Sequence, residues 1–122
     1  MRHVLFKCLA PLASERAQDK YIVHGTKDEY YLLSELLDTA ASTVAHVLSV
    51  PMARSGLSAT EIEVVRKFDV VLNGEGKDLD VEAYSNSYLI HSCSEWAKIR
   101  RAANTCLVAL GFDVSIWEQT DA

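Results

Sequence analysis

The stretch VLNGEGKDLDVEAY, residues 71–84, is dense in side chains that could do chemistry. Gly74, Gly76 and Lys77 are the ingredients of a phosphate cradle, and Asp78, Asp80 and Glu82 those of a cation site or of paired catalytic carboxylates. A phosphate loop of the Walker type needs G-x-x-x-x-G-K-[ST] between a strand and a helix. Here Asp78 follows the lysine, and the segment leaves a helix instead of opening one, so no helix N-terminus faces an anion. On a strand the three acids would share one face about 7 Å apart. Such a straight row does not wrap a calcium ion, which takes about six to eight oxygens. Catalytic carboxylates come from separate elements, and no second partner stands out. The stretch therefore reads as a turn, with Gly74 the left-handed residue that ends a helix, followed by the wet, charged face of an edge strand.

His91 and Cys93 are the second constellation. Cys93 would stand at the first position of the last helix, where the helix dipole and free N–H groups favour a thiolate. Extended backbone before it would set His91 alongside as an imidazolium partner. An orienting third residue and an oxyanion hole are both missing from the pattern. Cys93 thus reads first as a small packing residue, and a Cys93/His91-dependent enzyme is an alternative. Adding His46 leaves a zinc set one ligand short of the usual four. No catalytic residue, metal or cofactor is assigned.

The totals narrow the classes. A chain of 122 residues, 49% hydrophobic and 24% charged, fits a single domain, 1–122, with a sizeable core. No apolar run approaches the roughly 18–20 residues that span a bilayer, so no membrane role is expected. MRHVLFKCLAPLAS starts basic and ends in small residues, but Lys7 breaks the apolar part of what would be a secretory signal. Cys8, Cys93 and Cys106 form an odd, widely spaced set without a C-x-x-C pair, which suits a reducing cytoplasm. A net charge of −5 disfavours nucleic acid, whose non-specific binding rests on neutralising phosphates, and allows a basic protein partner.

Three helices are expected to position these residues. Thr26 and Glu29 have capping-box spacing and open a helix over about residues 27–48, with Leu33, Leu36, Leu37, Ala40, Val44, Val47 and Leu48 on one face. Ser58 and Glu61 open a second over about 59–73, lined by Ile62, Val65, Phe68 and Leu72. Ser92 and Glu95 open a third, whose stripe is Trp96, Ile99, Ala103, Cys106, Leu107 and Leu110, closed by Gly111. The short apolar runs HVLFKCL (3–9) and KYIVH (20–24), a hairpin over 78–91, with a helix from Asp80 as its alternative, and FDVSIWE (112–118) read as strands. The fold expected is α+β: a small, mostly antiparallel sheet with three helices on one side, in the order β-β-α-α-β-β-α-β.

Residues 56–68 resemble the capped helix that opens some bacterial helix-turn-helix output domains. A recognition helix does not follow, so no family follows from the likeness. The last helix carries the one basic cluster, Lys98, Arg100 and Arg101 with Asn104 and Thr105, which offers a second alternative: a regulator of transcription or signalling. The first long helix is more suggestive. Tyr31, Glu35, Asp38, Ser42 and His46 fall opposite its leucine stripe, and the acidic segment with Asp78, Asp80, Glu82 and Tyr84 shares that character. The expected function is a non-catalytic, cytoplasmic protein-binding module: a small acidic inhibitor or immunity-type protein of bacterial kind that occludes a basic protein partner. The surface would be Tyr31, Glu35, Asp38, Asp78, Asp80, Glu82 and Tyr84, and a homodimer is compatible with it.

Overall fold

A computed structural model describes residues 2–23, 33–51, 56–77, 79 and 85–120. Among these every regular element is helical: α1 (Arg2–Ala13), α2 (Glu15–Gln18), a π-helical turn (Asp19–Val23), α3 (Leu33–Ser49), α4 (Ala59–Gly76), α5 (Asn86–His91), α6 (Ser94–Ala109) and α7 (Val114–Thr120). The expectation of an α+β fold with an antiparallel sheet is therefore wrong. The chain forms a helical assembly with no strand among the described residues.

Four of these helices form a bundle. α1 packs on α3 and α6, and α4 packs on the same two, closing a ring. Their directions alternate. Arg2 at the start of α1 bridges to Glu61 at the start of α4 at 2.6 Å, so these two run in parallel. Lys98 near the start of α6 faces Glu75 near the end of α4 at 3.5 Å, so that pair is antiparallel. Cys8 meets Thr43 at 3.2 Å midway along α1 and α3. An up-down ring of this kind buries one stripe from each helix in a common core. That core holds Leu5, Leu9 and Leu12 of α1, Ala40, Val44 and Val47 of α3, Val65, Phe68 and Leu72 of α4, and Trp96, Ile99, Ala103 and Leu107 of α6.

The errors share a cause. A run of six or seven apolar residues satisfies period two and period 3.6 almost equally well, and only burial decides between them. In residues 3–9 the buried positions are Leu5 and Leu9, continued by Leu12 at i+7, while Val4 is 45% exposed. That is a helical stripe. In 112–118 the alternation fails outright, with Val114 buried and Ile116 60% exposed. Asp113 opens α7 instead, its carboxylate accepting the Ser115 N–H at 2.9 Å. SYLIH lies in α5, capped by Ser85, whose hydroxyl oxygen accepts the Tyr88 N–H at 3.2 Å. The expected strand at 20–24 is the π-helical turn as far as Val23, and residue 24 lies outside the described residues.

The helix signals fare better, with two amendments. Ser58 and Glu61 form a complete capping box: the Glu61 N–H donates to Ser58 Oγ at 3.1 Å and the Ser58 N–H to Glu61 Oε1 at 3.0 Å. Gly111 ends α6 with φ +88°, a backbone state that suits glycine. The Gly111 N–H reaches the Val108 carbonyl and the Phe112 N–H the Leu107 carbonyl, which is a Schellman cap. The first amendment concerns Gly74, which is not a left-handed terminator. α4 runs through it to Gly76, and the positive-φ glycines among the described residues are Gly56 and Gly111. The second concerns α6, which starts at Ser94 with Cys93 as its cap residue, so the box expected from Ser92 is not formed. Thr26 and Glu29 lie outside the described residues.

Candidate partner-binding site

α3 positions the part of the expected surface that is described. With Ala40, Val44 and Val47 fully buried, the helix must turn Glu35, Asp38, Ser42 and His46 outward, and all four are exposed. Glu35 and Asp38 stand one turn apart on that outer face. Neither has a hydrogen bond or ion pair among the described residues, so two negative charges project uncompensated. Of the other residues in the expected surface, Tyr31, Asp78, Asp80, Glu82 and Tyr84 lie outside the described residues.

Beside Asp38, the first half of α3 and the last turns of α4 border an open groove of about 570 Å³. Its apolar lining is Leu37, Ala41, Leu72 and Leu79, and its polar margin is Ser34, Asp38, Asn73 and Lys77. The groove exists because α4 continues past Gly74. The extra turn carries Gly76 and Lys77 alongside α3, and the Leu79 N–H then bonds the Gly76 carbonyl at 3.3 Å. The glycines once considered for a phosphate cradle are thus helical residues, and Gly76 forms part of the groove wall.

The thiolate–imidazolium pair is not assembled. Cys93 is 4% exposed, and its thiol donates to the Glu95 carboxylate at 3.3 Å. His91 turns elsewhere: Nδ1 faces Glu15 Oε1 at 3.2 Å and Nε2 faces Asp19 Oδ1 at 3.0 Å. Its pKa is raised, first by the hydrogen bond to Asp19 and then by that to Glu15. Cys106 sits in the core, where burial pushes its thiol up to about 11, far from a nucleophile's range. Cys8 is half-buried against Thr43. Among the described residues no group of three or more His, Cys, Asp or Glu is gathered for a metal, and His46 is exposed on α3, away from the His91 cluster.

The basic cluster of α6 is partly neutralised. Lys98 pairs with Glu75, and Arg100 faces Glu15 at 3.4 Å while donating to the Ile90 carbonyl at 2.9 Å. Arg101, Asn104 and Thr105 remain exposed on the helix. On α4, Arg66 pairs with Glu63 at 3.5 Å, as the i,i+3 spacing suggests. Against these partnered charges the bare acids of α3 stand out.

Sequence reasoning missed the buried polar joint that holds α1 to α6. Gln18 is fully buried. Its Nε2 donates to the carbonyls of Pro11 and Leu12 at 3.0 and 2.8 Å, groups that the end of α1 leaves without helical partners. Its Oε1 accepts the indole N–H of Trp96 at 2.9 Å. Ser14 adds a second link: its oxygen accepts the Ala17 N–H, and its hydroxyl donates to Glu118 at 2.6 Å. Gln18 falls between the two strands expected over 3–9 and 20–24, and a lone glutamine has no local signature of burial. Among the described residues no helix is long and apolar enough to cross a membrane. Comparison with family models, with curated proteins and with solved structures returned no match.

Proposed function

We propose that the chain is a non-catalytic protein-binding domain that docks the acidic face of α3, with the groove beside it, onto a cationic protein surface. It acts by occlusion, as a small acidic inhibitor or immunity-type protein would. The observation carrying this reading is the pair Glu35 and Asp38, exposed and without an ion pair among the described residues, with Asp38 at the edge of an apolar-floored groove. Elsewhere in the described chain, charged side chains often meet an opposite charge. Glu35 and Asp38 form no such pair among the described residues, and exposed like charges repel each other slightly. Complementary charge across an interface steers encounter and selects the partner, while an apolar floor supplies burial. The fitting occupant is a protein segment that sets lysine or arginine over Glu35 and Asp38 and an aliphatic side chain over Leu37 and Leu72. Asp78 and Asp80, the chain neighbours of Leu79, extend the same acidic character in sequence. A cytoplasmic setting belongs to this reading, in keeping with three unbridged cysteines.

The test is capture of partners from native lysate with the wild-type chain and with Glu35→Gln/Asp38→Asn, at low and at high salt. A specific partner should be retained by the wild type, weakened by salt, and lost or reduced about tenfold or more with the double variant. Equal retention by both chains at both salt concentrations would refute the assignment of this face.

A further inference from the structure

We infer that His91 closes a proton-dependent clasp that fastens α2 and the π-helical turn Asp19–Val23 to α5 and α6. The two ring nitrogens face carboxylates from two different elements: Glu15 on α2 at 3.2 Å and Asp19 on the turn at 3.0 Å. Carboxylates only accept hydrogen bonds, and a neutral imidazole has a single N–H. Both contacts are therefore favourable at once only when the ring is an imidazolium. A neutral ring would set a nitrogen lone pair against one of the two carboxylate oxygens.

The surroundings support the same state. Glu15 also faces the Arg100 guanidinium through its other oxygen at 3.4 Å, and Arg100 donates to the backbone carbonyl of Ile90, next to His91. The cluster thus holds two negative charges, Glu15 and Asp19, against Arg100 and His91. Losing the proton removes one positive charge from beside two carboxylates. Arg16 on α2, Lys20 on the turn, and Lys98 and Arg101 on α6 are the other cations of the packed elements; Glu95 is the other carboxylate of α6, and Tyr88 the other titratable group of α5. The raised pKa of His91 agrees with this geometry.

The proton's effect is local. His91, Glu15 and Asp19 are 40%, 50% and 42% exposed, so water and salt screen their attraction, and the bundle core does not depend on it. The π-helical turn is the element that would register its loss, because π-helical geometry is intrinsically disfavoured and persists where tertiary contacts hold it. Ile22 packs it on the core from one side, and the Asp19–His91 contact ties it to α5. Because the native pKa is raised, the clasp is fully closed below the ordinary histidine value near 6.5. It opens as pH rises through the native value. Mildly acid conditions thus fasten the turn, and mildly alkaline ones release it.

The experiment is a histidine NMR titration of the full chain, combined with amide hydrogen exchange of residues 19–23. His91 should titrate above the ordinary histidine value near 6.5. Exchange at 19–23, corrected for its intrinsic pH dependence, should accelerate about two- to fivefold across that transition, while α6 amides stay protected. Asp19→Asn should lower the His91 pKa, and His91→Gln should abolish the exchange step. Should either variant fail to fold, the wild-type titration still decides. Titration of His91 at or below the ordinary histidine value, or exchange at 19–23 without a step, would overturn the clasp.

Discussion

Two regions of this molecule treat polar groups in opposite ways. At the joint between α1 and α6, Gln18 is buried and every hydrogen-bonding atom of its amide head that can be counted has a partner: two backbone carbonyls and the Trp96 indole. On the outer face of α3, Glu35 and Asp38 are exposed and have none among the described residues. The difference teaches where each can be spared. A buried polar group is held by an interior where an unmet partner costs about 1–3 kcal/mol, and so it serves the fold. An exposed charge hardly affects folding, which leaves it free to serve binding.

Three substitutions probe that contrast in descending order. Leu9→Ala removes a fully buried side chain from the centre of the bundle and should lower the unfolding free energy by about 2–5 kcal/mol, measured by urea denaturation. A smaller loss would mean that the core can collapse onto the vacancy. Gln18→Ala comes next, at about 1–3 kcal/mol, because it strands the Trp96 N–H and two carbonyls. Coupling Gln18→Ala to Trp96→Phe should give less than the sum of the two single losses, since the second change removes one of the stranded donors. Strict additivity would show that the joint does not act as a unit. The smallest effect belongs to Glu35→Gln/Asp38→Asn, which should shift stability by no more than about 0.5 kcal/mol while weakening partner capture. A stability loss comparable to that of Gln18→Ala would place these acids in the fold and blur the distinction between the regions.

The legible parts of the fold were those where signals reinforced one another over several turns. α3, α4 and α6 are 17, 18 and 16 residues long, and each carries an apolar stripe that the 3.6-residue period distinguishes from alternation. The Ser58–Glu61 box and Gly111 marked two ends correctly because a cap is a local hydrogen-bonding problem with a local answer. Of the candidate surface, the outward direction of Glu35 and Asp38 followed directly from the stripe of α3. The groove beside them did not, since it depends on α4 continuing through Gly74 and Gly76, residues whose weak helix propensity argued for an end. The partners of His91 were equally hidden: Glu15 and Asp19 lie more than seventy positions away in the chain, and proximity at that range has no sequence signature here.

By itself the sequence determined which long segments are amphipathic helices, which of their faces turn outward, and that the balance of charge is acidic. Those properties reside in periodicity and composition, which act within a few residues. Only the tertiary structure decided that α1, α5 and α7 are helices. Short apolar runs are nearly indifferent between helix and strand in isolation, and too short to hold a helix alone. The stripe Leu5, Leu9 and Leu12 becomes helical because α3 and α6 offer a core on that one side. Tertiary packing likewise gave Gln18 its buried place and brought His91 to two carboxylates, since hydrogen bonds between distant elements form only after the helices have met.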